Sequence, residues 1–153
     1  MLGKLKSKLH KIESFISFID LHDIIYIKKI NKKLHSIKFY GKFSKNISKK
    51  NTVTKLLKFL DDKNLLKGEK YFFKIKKNIP QKSGMGGGSM NAAFILRYFL
   101  KKKFFKLNYK QIINISNYIG SDVITGFGNK NKILKSNGRL ENVNVNLRLH
   151  LLI

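Results

Sequence analysis

The stretch "IPQKSGMGGGSMNAAF", residues 79–94, holds the single proline of the chain and four of its eleven glycines. Glycine inside regular structure costs about 0.5–1 kcal/mol relative to alanine, so such a cluster points to a backbone that must come close to something. Before the cluster, in "YFFKIKKNI" at 71–79, Phe73 and Ile75 alternate with lysines, the pattern of a strand. After it, Ala92, Ala93, Leu96 and Phe99 or Leu100 mark one helical face, with Ser89 as the expected N-cap. Strand, proline, glycine loop and helix in that order leave several backbone N–H groups free at the positive end of a helix dipole. That is a ready anion site, favoured here over a purely structural turn, and a Cβ would hold a phosphate away from it.

The known phosphate loops separate on single positions. A Walker loop needs Gly-Lys followed by Ser or Thr, and Gly88 is followed by Ser89-Met90. The dinucleotide fingerprint needs glycine at 84, 86 and 89, and position 89 is serine. Protein kinases carry their glycines in a hairpin, whereas these open a helix. A flexible linker predicts polar flanks, and here the flanks are apolar.

Charge does not alter this reading. The net charge of +25 comes from thirty lysines and only three arginines, Arg97, Arg139 and Arg148. Isoleucine (19) and asparagine (15) are raised as well, and Lys, Ile and Asn share A- and T-rich codons. Proteins that read phosphates and base edges favour arginine for its planar fork. The lysines also run along the whole chain, so the charge points to a biased genome and to no specific nucleic-acid partner. With no cysteine there is no disulfide and no thiol ligand. No apolar run approaches the roughly eighteen residues of a membrane span, and "MLGKLKSKLH" lacks the apolar core of a signal peptide. A cytoplasmic protein that does not enter a membrane is expected. His10, His22, His35 and His150 have no metal-binding spacing.

Along the chain, extended structure is expected from about 12 to 30, broken by the turn-like "DLHD", with another strand in "HSIKFYGKF" at 35–43. Val53, Leu56, Leu57 and Leu60 have helical spacing, and Gly68 is a plausible stop. A further helix runs from an Asn108 cap through Ile112, Ile113, Ile115 and Ile119 to Gly120. "SDVITGFG" reads as a short buried segment, Asn137-Gly138 as a hairpin turn, and "LRLHLLI" as a last strand. The class is α+β, in one domain over 1–153.

Pro80-x-x-x-Gly84-Met85-Gly86-Gly87-Gly88-Ser89-x-Asn91-Ala92-Ala93 resembles the ATP-binding motif of the GHMP kinases. Gly-Gly-Gly-Ser-x-Asn-Ala-Ala narrows the resemblance to the 4-diphosphocytidyl-2-C-methyl-D-erythritol kinases. "GKLKSKLHKIESFISFIDLHDIIYI" is similar to the early segment of that family, and "NYIGSDV" to the motif that holds its catalytic aspartate. The resemblance implies the N-terminal GHMP domain, a ribosomal-protein-like α+β fold in which a mixed sheet packs against helices. It also implies ATP with Mg²⁺, and phosphorylation of the 2-hydroxyl of the cytidylylated methylerythritol in non-mevalonate isoprenoid synthesis. A small-molecule substrate and a monomer or weak homodimer go with it.

Residue by residue, the resemblance gives Asp122 the catalytic role. It gives Pro80, Gly84, Met85, Gly86, Gly87, Gly88, Ser89, Asn91 and Asn51 to the nucleotide, with Asn51 near adenine. Ser89 is also a Mg²⁺ contact, and His10 faces the cytidine. Departures accompany it. Leu9 stands for a tyrosine, Met90 for a second serine and Ile124 for a proline. The family's first strand, with its lysine, and its second domain have no counterpart, so the domain reads as incomplete and its activity as impaired. Two other classes fit less well. A basic RNA-binding module could share the fold, but it has no need of Gly-Gly-Gly-Ser at a helix start. An inactive remnant of the kinase is the other.

Overall fold

Alternation decides the sheet. In β4, Lys70–Lys76, the odd-numbered Tyr71, Phe73 and Ile75 are buried, while Lys74 and Lys76 face solvent. The computed structural model describes residues 14–128, 131–135 and 140–143. Within Leu21–Phe127, one compact unit, β4 is the centre of a mixed sheet. β2, Ile24–Ile30, runs antiparallel to it with Ile27 opposite Phe73. β3, Ser36–Tyr40, runs parallel to it with Phe39 opposite Ile75. Because the register keeps odd residues on one face, Ile25, Ile27, Ile37 and Phe39 join the same apolar layer.

Three helices follow. α1, Thr52–Asp62, buries Val53, Leu56, Leu57 and Leu60, the four positions that the spacing selects. α2, Gly87–Lys101, buries Ala92, Ala93, Ile95, Leu96 and Phe99, so Phe99 rather than Leu100 completes the face. α3, Tyr109–Ile119, starts at the Asn108 cap and ends at Gly120, as expected. The apolar faces of α1 and α2, with Ile115 and Ile119 of α3, form one core with Tyr71, Phe73 and Ile75. Phe99 packs edge-on against Tyr71 at 5.0 Å between ring centres. The "SDVITGFG" segment is a 3₁₀ turn over Ser121–Phe127, with Val123, Thr125 and Gly126 buried.

The second unit joins Met1–Asp20 to Gly128–Ile153. Its described part is an antiparallel sheet in the order β1 (Ser14–Ile16), β5 (Lys132–Leu134), β6 (Leu140–Asn142). β5 and β6 pair antiparallel, Lys132 opposite Asn142. The Asn137-Gly138 turn and "LRLHLLI" lie outside the described residues. The extended run expected over 12–30, broken at 20–23, is two strands, β1 and β2, which belong to different units. The expected mixed sheet packed with helices is the architecture observed in Leu21–Phe127.

Candidate functional site

The glycine loop is built from alternating backbone hands. Lys82, Gly84 and Gly86 have φ of 57°, 74° and 66°, whereas the intervening Ser83 and Met85 are not left-handed. Left-handed residues recurring at every second position are the backbone signature of an anion nest, and within it the Met85 N–H donates to the Ser83 hydroxyl. Gly86 is then the N-cap of α2, and no side chain caps that helix. This corrects the expected Ser89 cap. The left-handed Gly86 turns the chain into the helix early, so Ser89 is its third residue. The N–H groups of Gly87, Gly88 and Ser89 have no partner within the helix.

Packing fixes where this helix begins. A Cβ on Gly87 would lie 3.0 Å from Cγ2 of the buried Ile79, just before Pro80, so only glycine lets strand and helix close to this distance. The Thr52 hydroxyl donates to the Gly88 carbonyl at 2.7 Å and joins the start of α1 to the first turn of α2. On the outer limb, Gln81 donates to the carbonyls of Phe43 and Lys45, and the Ser83 hydroxyl to that of Pro80.

Loop and helix ends enclose a cavity of about 320 Å³ lined by residues 80–89, Asn51, Thr52, Val53, Phe39, Ile47, Lys77 and Asn91. Apolar side chains beside free N–H groups suit a ligand with a flat apolar part and a polyanionic part. All the residues assigned to the nucleotide line it: Pro80, Gly84, Met85, Gly86, Gly87, Gly88, Ser89, Asn91 and Asn51. Two of them have their side chains engaged elsewhere. The Asn51 carbonyl accepts from the N–H groups of Val53 and Thr54, and its amide donates to Ser48. The Asn91 amide donates to Asp23.

Asp122 is exposed at the start of the 3₁₀ turn and does not line the cavity. Its carboxylate accepts from the Ser121 hydroxyl at 3.2 Å. Its segment does reach the site, since a Cβ on Gly120 would lie 3.9 Å from the Ser89 hydroxyl and 3.7 Å from the Thr52 methyl. His10 lies outside the described residues. The sequence reading missed Thr52, Lys77 and Asp23. A threonine just after an Asn cap gives no hint of a long-range bond, and the Lys77–Asp23 pair is separated by more than fifty residues of chain. The carboxyl and hydroxyl groups moved from their ordinary values lie away from this site. Hydrogen bonds from Lys29 and Tyr71 hold the Glu69 carboxyl below its ordinary value, and burial pushes the Tyr71 hydroxyl up.

Comparisons with known proteins meet at these residues. Residues 51–130, from the Asn51 cap to just past the 3₁₀ turn, match the model of the GHMP kinases N terminal domain. The chain is 55% identical over 148 residues to the 4-diphosphocytidyl-2-C-methyl-D-erythritol kinase of Pelagibacter ubique, covering 97% of this chain and 53% of that protein. It is 34% identical over 125 residues to the enzyme of the same name from Thermotoga maritima, covering 80% and 42%. The chain thus spans about half the length of the curated relatives it matches. A crystal structure of 4-(cytidine 5'-diphospho)-2C-methyl-D-erythritol kinase shares the fold with a TM-score of 0.70 at 17% identity, over 92% of this chain and 49% of that one. This chain belongs to the GHMP kinases.

Proposed function

We propose that the chain carries the ATP-binding part of a kinase that phosphorylates the 2-hydroxyl of 4-diphosphocytidyl-2-C-methyl-D-erythritol, in isoprenoid precursor synthesis. GHMP kinases take ATP as phosphate donor. The observation that carries the reading is the uncapped start of α2, opening with the Lys82–Gly84–Gly86 nest into a cavity with the apolar walls an adenine needs.

Phosphoryl transfer asks a protein for alignment and charge neutralisation more than for covalent help. The N–H groups of Gly84, Gly86, Gly87 and Gly88 hold the phosphates, the Met85 N–H donating to the Ser83 hydroxyl, and Phe39, Ile47 and Val53 face the base. Asp122 takes the proton of the attacking hydroxyl, or orients it. The described residues contain no cluster of three His, Cys, Asp or Glu able to hold a metal by themselves. They fit Mg²⁺ as an ion held chiefly by nucleotide phosphates, with the Ser89 hydroxyl as the protein contact. The ion would neutralise the phosphate charge. His10 serves the cytidine. The exposed lysines are a solvated coat whose hold on RNA or DNA is non-specific and falls steeply with salt. The protein works in the cytoplasm as a monomer or weak homodimer.

The test is calorimetric titration with ATP and Mg²⁺, followed by ADP release with the cytidylylated substrate. Saturable ATP binding by this chain, little turnover by it alone, and turnover by a form extended to the length of its relatives that Asp122→Asn abolishes at unchanged ATP affinity, are the expected results. A chain that binds no ATP overturns the nucleotide assignment. Turnover that survives Asp122→Asn overturns the role of that aspartate.

A further inference from the structure

Asp23 is one of only eight acidic residues in a chain with 33 basic ones, yet its side chain is only 1% exposed. A carboxylate offers about four acceptor positions, and here four donors take them. Oδ1 accepts the backbone N–H groups of Asn78 at 2.8 Å and Ile79 at 3.0 Å. Oδ2 accepts the Asn91 amide at 2.8 Å and pairs with the Lys77 ammonium, itself only 6% exposed. Asn78 and Ile79 are the last residues before Pro80, and Asn91 lies in the second turn of α2. The two sets of donors bracket residues 80–90.

We infer that Asp23 is a positioning residue for the phosphate loop: one buried carboxylate ties the strand entering the loop to the helix leaving it, and so sets the width of the anion nest. The inference rests on the reading that this loop holds ATP phosphates. Two physical arguments support it. Glycines give the loop freedom but no stiffness of their own, so its shape is fixed at its ends. A buried ion pair is also poor evidence of stability, because desolvating both charges offsets most of their attraction, and apolar residues of the same volume hold a core as well. What apolar residues cannot do is accept four hydrogen bonds in a fixed arrangement, three from the limb entering the loop and one from α2. A second bond assists, since the Asn78 amide donates to the His22 carbonyl at 2.8 Å, beside Asp23.

The experiment combines amide hydrogen exchange with ligand titration on the wild type, Asp23→Asn and Asn91→Leu. Asp23→Asn keeps the shape but not the charge, and Asn91→Leu cuts only the tie to α2. In Asp23→Asn, exchange over residues 78–92 is expected to quicken roughly tenfold or more, as follows when a charged hydrogen-bond acceptor is lost, while α3 is unchanged. ATP affinity falls by a similar factor, and affinity for adenosine, which asks nothing of the loop, stays within about twofold. Asn91→Leu shows the same pattern at smaller size, and it decides the matter if Asp23→Asn does not fold. Unchanged exchange over 78–92, or equal loss of ATP and adenosine affinity, overturns the inference. If the wild type binds no ATP, the nucleotide reading falls, and the exchange comparison alone still decides whether Asp23 ties the two limbs.

Discussion

Three helices of the Leu21–Phe127 unit begin in two different ways. α1 and α3 start at asparagines that complete capping boxes. Asn51 exchanges hydrogen bonds with Thr54, and Asn108 with Gln111, at 2.8–3.1 Å. α2 starts at a left-handed glycine with no side-chain bond at all. Capped ends satisfy N–H groups that otherwise need water or a ligand. The chain thus closes the starts of α1 and α3 and leaves open the start of α2, where the glycine loop lines the cavity. An end left open forgoes the stabilisation of about 1 kcal/mol that a cap brings. The open end has its use only if an anion takes the place of the cap.

The sharpest way to break that contrast is to put the same negative side chain on both kinds of helix start. At Asn108, aspartate caps as well as asparagine does, so Asn108→Asp should leave stability and ATP affinity near the wild type. At Gly86, a carboxylate occupies the place of the phosphates. Like charges about 4 Å apart repel by around 4 kcal/mol at a surface-type dielectric, so Gly86→Asp should weaken ATP binding by at least about a hundredfold. Calorimetric titration reads both. Equal ATP affinity in the two variants would mean that the open end is not the anion site.

Gly87→Ala comes next in size. The new Cβ meets the branched end of Ile79 at 3.0–3.3 Å, and Ile79 is buried with little room to yield. Overpacking of this kind costs roughly 1–3 kcal/mol, and the shifted helix start should lower ATP affinity by about tenfold. Denaturant unfolding and the same titration check it. A variant as stable as the wild type would show that strand and helix are not held at that distance.

How far the sequence foretells this contrast depends on the range of the interaction that decides each feature. The apolar faces of α1 and α2 and the Asn108 cap rest on spacings of a few residues, and the structure places them as the spacing implies. The start of α2 does not follow local rules. Cap preferences favour Ser89, but a left-handed Gly86 and the contact of Gly87 with Ile79 start the helix three residues earlier. The chemistry of Asn51 and Asn91 follows the same lesson. Both line the cavity, as the resemblance implies, yet their amides are bonded to protein partners that a motif does not display. Asp23 is furthest from view: in the sequence it belongs to a turn, and its partners lie 54 to 68 residues away.

Removing the two asparagine caps refines the contrast further. Asn108→Ala should cost about 1 kcal/mol of stability, the usual value of a lost cap, with ATP affinity unchanged, because Asn108 is not part of the cavity. Asn51→Ala should cost a similar amount and also weaken ATP a few-fold, because its helix end borders the site. Thermal unfolding with and without ATP separates the two. Equal ligand-induced stabilisation in both variants would remove Asn51 from the site.

The smallest effect belongs to Thr52, where a capped helix touches the open one. Its hydroxyl donates to the Gly88 carbonyl, and its methyl lies near Gly120. Thr52→Val keeps the shape and loses the hydroxyl. The Gly88 carbonyl, in the first turn of α2, can still accept the N–H four residues on, so only one of its two lone pairs is left without a partner. The loss should sit at the low end for a hydrogen bond, about 0.5–1 kcal/mol, and ATP affinity should fall no more than about threefold. Thr52→Ser keeps the bond and sheds the methyl, so it should hold ATP as the wild type does while losing a little stability. If Ser rather than Val weakens ATP, the methyl contact with the Gly120 segment aligns the two helix starts, and the hydroxyl does not.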